Sequence, residues 1–99
     1  MKARNEVLKQ ARICSNKTIE FLSTSMNLSV SYIMRLEAGE IQNLDYIYGK
    51  YAKALGIPVG CLKKVISNAE KEKWEAEQIA IEVKKAIESM RTKKEPAIY

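Results

Sequence analysis

Residues 18–39 read TIEFLSTSMNLSVSYIMRLEAG, and the spacing of their apolar positions predicts two short amphipathic helices separated by a polar turn. Thr18 stands where it can cap the first helix, in which Phe21, Leu22 and Met26 face inward. Asn27 suits the turn, because asparagine tolerates a positive φ better than most residues other than glycine. Ser29 then caps the second helix, Ile33 and Leu36 turn to a core, and Gly39 ends it in the C′ position. Two helices joined by so tight a turn can carry the end of one into the major groove of DNA. The stretch therefore predicts a helix-turn-helix.

Working outward, apolar residues keep a helical spacing and strand signals are nearly absent. Val7, Leu8 and Ala11 make the inner face of a helix over roughly residues 3–14, which Ser15 and Asn16 end. Downstream, Asn43 is expected to cap a fourth helix carrying Leu44, Ile47, Tyr48, Tyr51 and Leu55, which Gly56 stops. Pro58 suits the first turn of a fifth.

The final third is different in kind. Leu62, Ile66, Ala69, Lys73, Ala76, Ala80, Val83, Ile87 and Met90 follow one another at alternating steps of four and three, a heptad seam apolar everywhere but at Lys73. Trp74 and Ile81 lie on nearly the opposite side, so the helix has two apolar faces. The pattern predicts a dimerisation helix in which Ala69, Ala76, Ala80, Val83, Ile87 and Met90 meet a second copy. The alternative is a helix docked on its own domain. Ser67 and Glu70 have capping-box spacing, so a break near residue 67 is possible. The last nine residues, RTKKEPAIY, are expected to fray. The expected division is a DNA-binding domain at 1–64 and a dimerisation helix with its tail at 65–99.

Composition narrows the chemistry. The chain has 99 residues, enough for one domain, and is 46% hydrophobic. It has no histidine, and its two cysteines, Cys14 and Cys61, stand alone, which removes imidazole acid–base chemistry and spaced zinc ligands. Both thiols read as small core hydrophobes of a reducing compartment rather than as a disulfide. No catalytic constellation, phosphate-cradling glycine loop or small-molecule site is evident, so no enzyme activity, metal or cofactor is expected. No apolar run approaches a membrane span, and MKARNEVLKQAR lacks a signal-peptide core, so a cytoplasmic protein with no membrane partner is expected.

The net charge of +5 is unevenly placed. Residues 1–64 carry ten Lys/Arg against five Asp/Glu, whereas residues 65–99 carry seven of each. The whole excess travels with the helix-turn-helix, where a polyanion would bind. Lys9, Lys17, Lys50 and Lys53 are candidates for phosphate contacts, and Tyr32 is placed to bring its hydroxyl to the DNA backbone.

With LKQAR at 8–12, TIEFLS at 18–23, LSVSYIMRLEAGE at 28–40, YAKALGI at 51–57 and VGCL at 59–62, the chain resembles the Cro/repressor-type helix-turn-helix proteins, the XRE family. The resemblance covers roughly residues 4–62 and implies an all-α fold: a five-helix repressor-like helix-turn-helix domain, here followed by a long C-terminal helix. It implies sequence-specific binding of double-stranded DNA by a homodimer acting as a transcriptional regulator, most simply a repressor. Val30, Ser31, Met34 and Arg35 match the positions that face base edges. Thr18, Ser29, Tyr32, Lys9 and Lys17 would serve the phosphates. Arg12 and Glu37 match a structural pair that joins the first helix to the end of the third.

Two positions depart from the pattern. Ile19 stands where glutamine often holds the phosphate backbone, and Glu40 stands where a basic residue often follows the glycine. They motivate an alternative expectation, a helix-turn-helix adaptor that binds a protein partner rather than DNA.

Overall fold

The computed structural model describes residues 3–41 and 45–94, which form six helices. They are α1 (Ala3–Cys14), α2 (Ile19–Met26), α3 (Val30–Glu37), α4 (Asp45–Leu55), α5 (Val59–Glu72) and α6 (Ala76–Lys94). Among the described residues there is no strand, and no helix is long and apolar enough to cross a membrane. The expected Asn43 cap and Leu44 lie outside the described residues.

Helix ends fall where local chemistry requires them. Thr18 accepts a hydrogen bond from the Phe21 N–H at the start of α2, and Ser29 accepts one from the Tyr32 N–H at the start of α3, each at 3.0 Å. Asn16 and Asn27 follow α1 and α2 in the left-handed region, with φ of 58° and 56°. Gly39 and Gly56 do the same after α3 and α4, with φ of 81° and 72°. Pro58 stands one residue before α5, as its N-cap, and not within the first turn.

One apolar core runs from Val7 to Ile87. Val7, Leu8 and Ala11 of α1, Leu22 and Met26 of α2, Ile33 and Leu36 of α3, and Ile47, Tyr48 and Tyr51 of α4 are buried in it. Phe21, expected to face inward, is 38% exposed instead, because on a helix of eight residues the core needs only Leu22 and Met26. Cys14 and Cys61 pack half-buried against the core with no disulfide between them.

The heptad reading of the last third is corrected by the backbone. No break occurs at residue 67; α5 runs through Ser67 and ends at Lys73, which takes the left-handed conformation with φ 56°. The Trp74 N–H closes the end on the Ala69 carbonyl at 3.0 Å. Lys73 is the one polar position of the seam, and there α5 ends. After the break the seam's Val83 and Ile87 enter the core and Met90 packs at its edge, whereas Ile79, off the seam, is buried, Ala80 is half-buried and Ala76 is exposed.

The partner of this face is the chain itself. α6 packs against α1 and α5, and α1 also meets α3, α4 and α5. Ala69, Val83 and Ile87, expected at a dimer seam, are therefore covered within one molecule. Val83 and Ile87 each stabilise the fold by roughly 1.5–3 kcal/mol, and the single methyl of Ala69 by less. The expected boundary at residues 64 and 65 falls inside α5, with the same core on both sides of it. Residues 91–94 continue α6 instead of fraying, and residues 95–99 lie outside the described residues.

Candidate nucleic-acid interface

The geometry of α2 and α3 starts from a three-residue connection. Asn27 turns the chain with φ 56° and ψ 46°, its N–H bonded to the Ser23 carbonyl. The Leu28 N–H reaches the same carbonyl at 3.1 Å, while the Ser23 hydroxyl donates to the Leu28 carbonyl. These bonds satisfy the end of α2 and fix the departure of α3. The first N–H groups of each helix have no intrahelical acceptor, so the two N-termini leave donors for an anion.

A single guanidinium then ties this unit to the rest of the fold. Arg12 donates from Nε to Glu37 Oε2 at 2.9 Å and from Nη2 to Oε1 at 3.0 Å, and from Nη1 to the Lys17 carbonyl at 3.0 Å. The pair is largely out of water, with side-chain exposures of 14% and 5%. Tyr51 adds a third donor, its hydroxyl 2.9 Å from Glu37 Oε2. Burial pushes the Tyr51 phenol far above its ordinary pKa, the charge of Glu37 pushes further, and the hydroxyl remains a donor. Asn5 completes the attachment, donating from Nδ2 to the Leu36 carbonyl at 2.7 Å. The sequence reading anticipated Arg12 with Glu37, and missed Tyr51 and Asn5. A buried carboxylate has more acceptor sites than one arginine fills, and that was the available signal for a second donor.

On the outer side of α3, Ser31, Met34 and Arg35 are exposed and Val30 is half-buried. Met34 is 54% exposed, well clear of the core that takes Ile33 and Leu36. Thr18 and Ser29 are exposed at the helix starts, with Tyr32 half-buried beside them. The Tyr32 phenol is raised in pKa by partial desolvation and then by its neighbour Tyr46.

Lys9 joins this face: with Arg12, Ile19, Met34, Glu37 and Ala38 it lines a hollow of about 200 Å³. Lys17 sits with its Nζ 4.7 Å from the centre of the Phe21 ring, a cation–π contact at the foot of α2. Lys50 reaches the Met26 carbonyl at 3.4 Å and, with Lys53, lines a hollow at the opposite end of α2 from Thr18. The structure thus brings Thr18, Lys9, Ser31, Met34 and Arg35 to one side, whereas Lys50 reaches the Tyr46 ring, 5.8 Å from its centre, next to Tyr32 at the start of α3.

Glu40 adds an exposed carboxylate after α3, with Oε1 at 3.6 Å from Arg35 Nε.

Compared with known proteins, the chain matches no family model, no curated protein and no solved structure.

Proposed function

We propose that this chain is a sequence-specific regulator that binds double-stranded DNA through α3 as a homodimer and represses by covering a promoter. The observation that carries the reading is the pair of side-chain-capped helices joined at left-handed Asn27, which leaves Ser31, Met34 and Arg35 outward while Ile33 and Leu36 anchor the helix from behind. Arg35 supplies the fork that matches guanine O6 and N7, Ser31 can donate or accept at a base edge, and Val30 and Met34 offer apolar contact to a thymine methyl. Thr18, Ser29, the helix N-termini, Lys9 and Lys17 serve the phosphates.

A two-fold operator calls for two copies of α3 about 34–36 Å apart. With the α6 seam taken up by α1, the contact between copies falls to the groove between α5 and α6. That groove, about 470 Å³, is lined by Pro58, Cys61, Val65, Trp74 and Met90 among others.

The test is fluorescence anisotropy against random duplex DNA at two salt concentrations, followed by selection of a site from a randomised pool. The expected result is binding that weakens steeply with salt, since each neutralised phosphate releases counterions, and a palindromic selected site. Absence of binding at low salt overturns the reading.

A second reading has a specific observation behind it. Ile19 and Met34 line the same hollow on the outer face, which gives this side more apolar surface than phosphate contact requires. A helix-turn-helix adaptor for a protein partner would use that surface. It would show no salt-sensitive retention on duplex DNA and would co-purify with a protein.

A further inference from the structure

We propose that Glu40 is a positioning residue that aims Arg35 at a base edge and so sets specificity at the expense of affinity; the inference rests on the DNA-binding reading above.

The backbone builds the contact. α3 ends with Gly39 at φ 81°, the Gly39 N–H on the Leu36 carbonyl at 3.1 Å, and the Glu40 N–H on the Arg35 carbonyl at 2.9 Å. These are the two bonds of a Schellman cap, which brings the residue after the left-handed glycine back over the residue four before it. An apolar pair commonly fills those two positions. Here they hold an arginine and a carboxylate, with Oε1 3.6 Å from Nε. The juxtaposition therefore follows from the helix end itself, not from two long side chains meeting by chance.

The chemistry of the fork gives the contact its direction. A guanidinium offers five donors, and the carboxylate engages the Nε side. The Nη edge is left to meet guanine O6 and N7 together. Both side chains are more than 60% exposed, so the pair itself adds little stability. Its effect is on orientation. It biases Arg35 away from the flexible conformations in which a cation would settle on any phosphate. On the face proposed to meet DNA, the same exposed negative charge opposes a polyanion, which weakens binding to every sequence.

The test compares wild type, Glu40→Gln, Arg35→Ala and the double variant by anisotropy. The probes are a random duplex, the duplex that wild type selects from a randomised pool, and single-base-pair variants of that duplex. Glu40→Gln is expected to bind the random duplex about threefold or more tightly, because a charge facing phosphate is gone. It is also expected to lose about tenfold of discrimination at one base pair, within the range a bidentate arginine contact supplies. In the Arg35→Ala background the affinity gain should persist and the change in discrimination should vanish. A gain by the same factor on all duplexes would overturn the positioning role while leaving DNA binding intact. No binding of any duplex by wild type or Glu40→Gln at low salt overturns both, and is distinguished by that absence.

Discussion

Arg12 holds both carboxylate oxygens of Glu37 while its third nitrogen takes the Lys17 carbonyl, so one side chain of α1 fixes the last residue of α3 and the approach to α2. Neither the end of α3 nor the approach to α2 can shift without disturbing the same guanidinium. Replacing Arg12 by alanine leaves Glu37 buried with only Tyr51 as partner, and is expected to cost about 3 kcal/mol or more in urea unfolding. Glu37→Gln keeps an acceptor for Tyr51 but leaves the buried guanidinium without its counter-charge, and should also destabilise strongly. A near-zero loss for Glu37→Gln would count against a charge-dependent tie.

Tyr51 gives the pair a pH signature on the alkaline side. Its pKa is raised in the folded chain by burial and then by Glu37, so its contribution is fully present below the ordinary tyrosine pKa, about 10. Above that value the unfolded chain releases the proton while the folded chain keeps it, and stability falls. Tyr51→Phe should remove this part of the alkaline slope and cost about 1–2 kcal/mol near neutral pH. Matching slopes for wild type and variant in chemical denaturation would contradict it.

The break between α5 and α6 is a lysine in a conformation that favours glycine. Lys73→Gly is expected to raise stability by roughly 0.5–1 kcal/mol, read as a higher melting temperature with an unchanged helical spectrum. Were α5 and α6 one continuous helix, the same change would destabilise it.

Val83 and Ile81 lie two residues apart on α6 and should behave oppositely. Val83 is buried against the core, and Val83→Asp should lose several kcal/mol by burying an unpaired carboxylate. Ile81 is exposed, and Ile81→Glu should stay within about 0.5 kcal/mol of wild type. Circular dichroism melts separate the two at once.

For the proposed homodimer, Ser89→Glu places a charge in the α5–α6 groove at an exposed position and should give monomers in light scattering with the helical content of wild type. A variant that stays dimeric moves the interface elsewhere, and a monomeric wild type removes the homodimer.

Local chemistry made α2, α3 and the turn between them legible. Thr18, Asn27, Ser29 and Gly39 each perform at their own position a task that depends on one or two neighbours in sequence. Arg12 and Glu37 were legible through resemblance, and the structure adds the geometry. What covers the last helix was not legible. A heptad stripe says that a face is buried, and its spacing is the same whether a second copy or the chain's own α1 buries it. The break at Lys73 was not legible either, because a single lysine is tolerated inside a continuous seam. The contact of Arg35 with Glu40 was missed, although their spacing across a left-handed glycine was the available signal.

Because α1 is completed by α6, the two ends of the described fold share one face. The apolar side of Val7, Leu8 and Ala11 takes part of its cover from a helix far along the sequence. The α1 platform on which Arg12 and Asn5 hold α3 therefore rests on long-range contacts. A chain cut before α6 would carry α2 and α3 with their local caps intact but without their complete support, so the fold closes as a whole rather than growing helix by helix.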